Sequence, residues 1–276
     1  MSYKTILIHI DPGKRCATRV EVAIRLALQY DAHLVALYSR APVIFPGYLM
    51  AQVGAEIIAA REKAAAEEVA GAEADFTRQA LAMGLMNVEW RKTFDDPVDA
   101  MSMHARCADL VVIGQSDSVD DSGVAPDFPE RLVPAAGRPV LILPKVGNFP
   151  TVGKRVLIAW NASREATRAV TDAIPLLKLA DNVSVMAIDP KQDEHGGVSG
   201  ADIALYLARH GVQVEVKTDY SADIDVGNEM LSRAADLSAD LIVMGCYGHS
   251  RLKEWVLGGA TRTILESMTT PVLMSH

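Results

Sequence analysis

The sequence predicts an α/β chain of two tandem doubly wound domains, each a five-stranded parallel sheet with helices on both faces. Three observations carry this. The chain repeats itself, short apolar runs alternate with helical patterns in each copy, and the runs are apolar throughout rather than on alternate residues. The repeat is visible in three places. YKTILIHID (3–11) matches GKRVLIAWN (153–161), CADLVVIG (107–114) matches SADLIVMG (238–245), and RPVLILP (138–144) matches TPVLMSH (270–276). Lys4 and Lys154 lie 150 positions apart, Asp109 and Asp240 lie 131 apart, and Pro139 and Pro271 lie 132 apart. A near-constant offset with one deletion marks a duplicated domain. The deletion falls between the second and third strands, where the first copy carries residues 47–83 and the second only 191–211.

Strands are expected at 5–10, 33–39, 88–94, 109–113 and 139–143, with counterparts at 155–160, 183–188, 212–218, 240–244 and 271–275. Strands apolar on both faces belong to a parallel sheet covered on both sides. Helical periodicity fills the intervals, as in TRVEVAIRLALQY (18–30) and REATRAVTDAIPLLKLA (164–180), where Pro175 should kink or end the helix early. Residues 55–84 are rich in strong helix formers and read as one long amphipathic helix. Strand and helix in alternation imply right-handed crossovers. The stretch 146–152, with Gly147 and Pro150, reads as the linker, giving domains 1–146 and 153–276.

Half of the 276 residues are hydrophobic, enough for a substantial core, and the net charge is −8. Residues 1–150 hold 15 basic and 19 acidic side chains and residues 151–276 hold 12 and 16, so each half carries −4. Neither a nucleic acid nor an anionic membrane is the expected partner of such a surface. Three scattered cysteines make neither a disulfide framework nor a CxxC site, and no apolar run reaches membrane-spanning length. A cytoplasmic location is the expectation.

In doubly wound sheets ligands bind beyond the carboxyl ends of the strands where strand order reverses. The loops to inspect begin at Asp11 and Gly114 in the first half, and at Asn161 and Gly245 in the second. After ADLIVMG the second half continues as GCYGHSRLKEWVLGGATR (245–262). Gly245 and Gly248 permit a turn whose successive N–H groups form an anion-binding concavity. Ser250 can cap RLKEWVL, and Gly258 and Gly259 open a helix at about Ala260 whose free N–H groups favour phosphate. Arg251, Lys253 and Arg262 read as solvated cations close by.

This G-x-x-G-(nine residues)-G pattern resembles that of the universal stress protein family in its tandem form, and the resemblance covers essentially the whole chain. It implies Rossmann-like domains of the adenine-nucleotide-hydrolase-like kind. It also implies an adenine nucleotide, ATP or a relative, with Mg²⁺ as an optional companion, in the second half, and a regulatory or sensing role in stress response rather than catalysis. Gly245, Gly248, Gly258, Gly259, Ala260 and Thr261 match the phosphate loop, with His249 inside it. Asn161 matches the ribose position, where the family usually has Asp. Ala187 matches the position whose backbone meets the adenine. Gly259 stands where ATP-binding members usually carry Ser or Thr, so one hydroxyl contact, about 1.5–3 kcal/mol for a bond to a charged group, is missing unless Thr261 supplies it. The resemblance further implies that 139–143 and 271–275 pair antiparallel as an internal pseudo-dimer, with a homodimer a further possibility.

The first half keeps Asp11 but continues after Gly114 as QSDSVDDSGVAPDFPERL (115–132). It has no GxxG, and Asp117, Asp120, Asp121 and Asp127 stand where phosphates would go, so no nucleotide is expected there. Asp11 reads instead as a cap of the turn before the first helix. His9 reads as a hydrogen-bonded core residue. Cys246 is an oxidant sensor only if loop N–H groups stabilise its thiolate. DEHGG (193–197) reads as a solvated loop rather than a metal site. Two other readings stay open: a slow metal-dependent ATP hydrolase, for which Asp189 is the nearest metal-holding carboxylate, and a scaffold for a different small ligand.

Overall fold

The computed structural model describes residues 2–40, 55–116, 124–188, 200–219, 225–246 and 259–276. In the first half β1 (Thr5–Ile10), α1 (Cys16–Tyr30), β2 (His33–Ser39), α2 (Ala55–Ala82), β3 (Val88–Thr93), α3 (Pro97–Ala105), β4 (Leu110–Gly114), α4 (Phe128–Ala136) and β5 (Val140–Leu143) follow in order. The second half repeats the plan as β6 (Arg155–Ala159), α5 (Arg164–Leu177), β7 (Asn182–Ile188), α6 (Ala201–Arg209), β8 (Glu215–Asp219), α7 (Val226–Asp236), β9 (Leu241–Gly245), α8 (Gly259–Ser267) and β10 (Val272–Ser275). Most strands fall within a residue or two of their expected positions. The exception is β8, which starts three residues later than expected. Pro175 lies inside the last turn of α5, and the helix ends two residues beyond it. A proline there removes one hydrogen bond near a terminus that frays anyway.

All ten strands form one sheet in the order β3-β2-β1-β4-β5-β10-β9-β6-β7-β8. Every neighbouring pair is parallel except β5 and β10, which run antiparallel with Val140, Leu141 and Ile142 opposite Met274, Leu273 and Val272. Alternate side chains of each strand feed two cores. On one face Ile6, Ile8 and Ile10 of β1 join α1, α2, α5 and α6. On the other Leu7 joins α3, α4, α7 and α8. The sheet is therefore covered on both sides, as strands apolar throughout require.

The duplicated aspartates have a shared task. Asp109 Oδ2, just before β4, accepts hydrogen bonds from Lys4 N and Thr5 N at the start of β1, at 2.7 and 3.0 Å. Asp240, just before β9, accepts from Gly153 N at 3.1 Å, Lys154 N at 3.2 Å and Arg155 N at 2.8 Å at the start of β6. Each thus ties the first strand of its half to the fourth and satisfies backbone donors at the strand ends.

Contacts beyond the sheet also join the halves. Tyr3 Oη donates to Asp172 O in α5 at 2.7 Å. Gln115, straight after β4, donates through Nε2 to Leu265 O at 2.7 Å and Glu266 O at 3.1 Å at the end of α8, while its Oε1 accepts from Lys145 N at 3.0 Å. The expected linker is tied to α1: Arg15 donates to Gly147 O, Arg25 donates to Phe149 O, and the Phe149 side chain is buried in the core.

Candidate functional site

Strand order reverses between β1 and β4 in the first half and between β6 and β9 in the second. A crevice therefore opens past the carboxyl end of each pair. In the second half the chain leaves β6 at Ala159, and Trp160 N donates to Met186 O at 2.8 Å, extending the tie to β7 by one residue. Asn161 is exposed, and its Oδ1 accepts from Ser163 N at 3.1 Å. This closes a tight turn in which Ala162 takes a positive φ of 58°. Ser163 then caps α5, its Oγ accepting from Ala166 N at 3.1 Å. Ala187, the expected adenine-facing position, is buried on β7 with its backbone in register with Thr218 of β8.

Gly245 closes β9 directly beneath the start of α5. A Cβ here would stand 2.4 Å from Ala166 N and 2.4 Å from Glu165 C. Glycine at 245 is thus a packing requirement in its own right, whatever the loop beyond it holds. Gly248, His249 and Gly258 lie outside the described residues, as do Ser250, Arg251, Lys253, Asp189 and 193–197. The chain is described again at Gly259, where α8 begins one residue before the expected start. The first turn of α8 contains Gly259, Ala260 and Thr261 and no acidic residue. Thr261 is 4% exposed, so its hydroxyl is not on the open surface. Arg262 is exposed, and its Nε donates to Glu266 Oε1 at 2.7 Å on the same helix.

A Cβ added to Gly259 would meet Asp225 Oδ1 at 3.8 Å, ordinary van der Waals contact, so a side chain fits there. Asp225 caps α7, its Oδ2 accepting from Gly227 N at 3.1 Å and Asn228 N at 3.3 Å. Its other oxygen looks toward the start of α8. A carboxylate thus stands beside the helix terminus that a phosphate would approach, a neighbour 34 residues away in sequence.

The first half fills the equivalent space with its own side chains. His9, Asp11 and Arg19 form a buried cluster, with Asp11 only 8% exposed and Arg19 4%. Arg19 Nη2 donates to Asp11 Oδ2 at 2.6 Å, and Arg19 Nε donates to His9 O at 2.9 Å. Asp11 Oδ1 accepts from Gly13 N at 2.9 Å, and the same carboxylate lies 3.3 Å from His9 Nδ1. Burial pushes the Asp11 carboxyl up, but the Arg19 guanidinium, His9 and the Gly13 N–H together hold it well below the usual carboxylate range. The guanidinium also lies against Gly114, where a Cβ would stand 2.6 Å from Nη1. Asp11 caps the turn before α1 as expected, and the structure adds a second task. One oxygen holds the turn at Gly13 and the other is the counter-ion of Arg19, while Arg15 stands at the N-cap of α1. His9 is a core residue as expected, its Nε2 3.0 Å from Ser39 O and its ring 4.9 Å from that of Phe128.

The sequence profile of the Universal stress protein family matches residues 2–144 and again 153–276. The chain belongs to the universal stress protein family. A curated relative, a universal stress protein from a Synechocystis species, is 27% identical over 148 residues, covering 52% of this chain and 49% of that protein. The chain thus spans about half the length of the curated relative it matches. Among solved structures, a universal stress protein from Archaeoglobus fulgidus matches with a TM-score of 0.74 at 16% identity, covering 98% of this chain and 97% of the other. A functionally unknown protein from Pseudomonas aeruginosa matches with a TM-score of 0.66 at 16% identity, covering 99% and 92%. These likenesses show that the ten-stranded tandem fold recurs.

Within this universal stress protein the oxidant-sensing reading of Cys246 does not hold. The Cys246 side chain is fully buried, the backbone N–H of Cys246 donates to Ser275 O at 3.0 Å, and burial followed by the nearby Glu165 charge pushes the thiol pKa upward. A thiolate is disfavoured there, and a buried thiol behaves as a small apolar group.

Two outcomes follow from this geometry. Gly245→Ala should lower stability by about 2 kcal/mol or more, because the clash is with backbone, whereas Gly259→Ser should change it by about 0.5 kcal/mol or less. Urea denaturation of both variants measures the contrast. Asp11→Asn should cost about 3–5 kcal/mol at pH 7 by leaving Arg19 buried without its counter-ion. The folded carboxyl titrates below its unfolded value of about 3.9. Its stabilisation is therefore complete above that value and is lost as pH falls toward the folded value. Wild-type stability should fall as pH drops below about 5, with a shallower slope in Asp11→Asn.

Proposed function

We propose that the second half, residues 153–276, binds an adenine nucleotide, ATP or a close relative, and that the chain acts as a cytoplasmic regulator or sensor in stress response rather than as an enzyme. The first half, residues 1–146, serves as its permanently paired partner domain. The observation that carries this reading is the start of α8. A helix of nine residues opens at Gly259 on the β9 side of the crevice, with no acidic residue in its first turn. Helix N-termini of this kind favour phosphate through free N–H groups and the positive end of the dipole.

In this reading Asn161 meets the ribose, and the backbone at Ala187 meets the adenine. Gly245, Gly248, His249, Gly258, Gly259, Ala260 and Thr261 surround the phosphates, with Thr261 acting through its backbone because its side chain is buried. Asn161 already spends one acceptor position on Ser163 N, and its amide group remains for a ribose hydroxyl. Mg²⁺ accompanies the phosphates in the full form of the proposal. A scaffold for a less charged ligand is the second reading, and Asp225 favours it: a carboxylate beside Gly259 repels a phosphate tail.

Calorimetric titration of the full chain with ATP, ADP and AMP tests the proposal. Gly259→Ser restores a hydroxyl at a position with room for it and should tighten nucleotide binding by about tenfold. A folded wild type and a folded Gly259→Ser variant that both fail to bind at millimolar nucleotide would sink it.

A further inference from the structure

One end of the sheet is β3, and among the described residues no strand lies on its outer side. Leu34 N donates to Asn87 O, and β2 and β3 run parallel with Leu34 beside Val88. In such a ladder alternate residues turn their backbone groups to the neighbouring strand. Glu89, Arg91 and Thr93 therefore face β2, while Val88, Trp90 and Lys92 face outward. The Val88 N–H is taken by Met86 O at 3.0 Å, which leaves the Trp90 and Lys92 N–H groups as the donors of the edge. An edge of this kind accepts a further strand.

The side chains of β3 divide between the two faces of the sheet. Trp90 points to the α2 face, its ring 5.9 Å from that of Phe76 and 6.3 Å from that of Tyr38. Glu89 and Arg91 point to the α3 face, where Arg91 Nε donates to Glu89 Oε1 at 2.7 Å and Arg91 Nη1 lies 2.8 Å from His104 Nδ1. Opposite charges two residues apart on one face are self-complementary about the residue between them. When a second β3 runs antiparallel with Trp90 opposite Trp90, each Glu89 faces the Arg91 of the other copy. The outward backbone groups select the same register: Trp90 meets Trp90 as a hydrogen-bonded pair, and Glu89 meets Arg91 as a closer, non-bonded pair. The next registers on either side set Arg91 against Arg91 or Glu89 against Glu89. The favoured register also carries Met86, before the strand, toward Phe94, after it, in the other copy. Both are exposed, at 76% and 53%, and a methionine sulfur beside an aromatic ring is a favourable contact. The opposite edge, β8, has Glu215 and Lys217 at the same spacing and 3.1 Å apart, but the described residues next to it add no exposed large apolar side chain.

We propose that a second copy of this chain docks on β3, edge to edge and antiparallel, about a two-fold axis at Trp90. Two ten-stranded sheets then become one continuous sheet, and the contact is isologous, each residue serving both copies. Charges that keep arbitrary strands off an edge here admit one strand, that of the same chain. The interface is short, six residues of strand with Met86 and Phe94 at its ends, so it belongs to the weak and reversible class. Because β3 stands two strands from β1, the contact lies apart from both crevices. It does not rest on a nucleotide in either half.

Sedimentation equilibrium of the full chain tests it, and wild type should show a concentration-dependent dimer. Glu89→Arg and Arg91→Glu each set like charges against one another at both facing pairs, and each should weaken association by about tenfold or more. Mixed in equal amounts, the two variants should recover the association, because two cations of one copy then meet two anions of the other. Damage to the ion pair within one chain is not repaired by mixing. If either reversal does not fold, Lys92→Pro serves instead: it removes an outward N–H, leaves the ladder to β2 intact and should abolish the dimer. A wild type that stays monomeric at high micromolar concentration overturns the proposal. So does a dimer that the reversals or Lys92→Pro leave intact, which moves the contact to β8 or another face. Reversals that weaken the dimer without recovery on mixing also overturn it, because Glu89 and Arg91 then do not face each other across copies.

Discussion

The antiparallel pairing of β5 with β10 is the constraint on which the rest of the structure depends. Each half alone would present an apolar edge strand with a row of unpaired N–H and C=O groups, an invitation to aggregation. Paired, Val140, Leu141 and Ile142 face Met274, Leu273 and Val272, and all six are fully buried. The seam turns two five-stranded sheets into one of ten strands and sets the halves in opposite senses. It also brings Gln115 of the first half to the end of α8, the helix whose other end lies at the second crevice. The two crevices therefore sit on a common frame.

On that frame the two copies have used one position differently. Gly114 and Gly245 each close the fourth strand of their half under a helix that follows the first strand. At Gly245 the backbone of α5 comes down onto the glycine. At Gly114 the gap is taken by the Arg19 guanidinium, which needs Asp11 as its counter-ion because a buried unpaired charge is prohibitive. The aspartate that resembles a ribose ligand is thereby held by an internal cation. In the first crevice a buried ion pair thus takes up part of the space, beside a small cavity.

Much of this was legible in the chain. The repeated aspartates and the apolar runs gave the duplicated βα plan, and the glycines at 258 and 259 marked the start of α8 to within a residue. The antiparallel seam came only through the family resemblance, since two short apolar strands carry no sign of their mutual direction. Arg19 went unnoticed, though a signal existed: it lies four and eight residues before Ala23 and Ala27, on the buried stripe of α1. A lone arginine on such a stripe needs a buried partner, and Asp11 was the nearest candidate. The approach of Asp225 to Gly259 was not legible, because it depends on how α7 packs against α8. Nor could the motif reveal that Gly245 is required by packing, since the same residue satisfies the phosphate pattern and the contact with α5.

The central claim is that two copies of one fold have diverged, so that the second holds the nucleotide and the first does not. Native mass spectrometry of the intact chain titrated with ATP tests this most directly. The account predicts a single nucleotide per chain, lost in Gly248→Ala and retained in Asp11→Asn if that variant folds. Two nucleotides per chain, or one that survives Gly248→Ala, would contradict it.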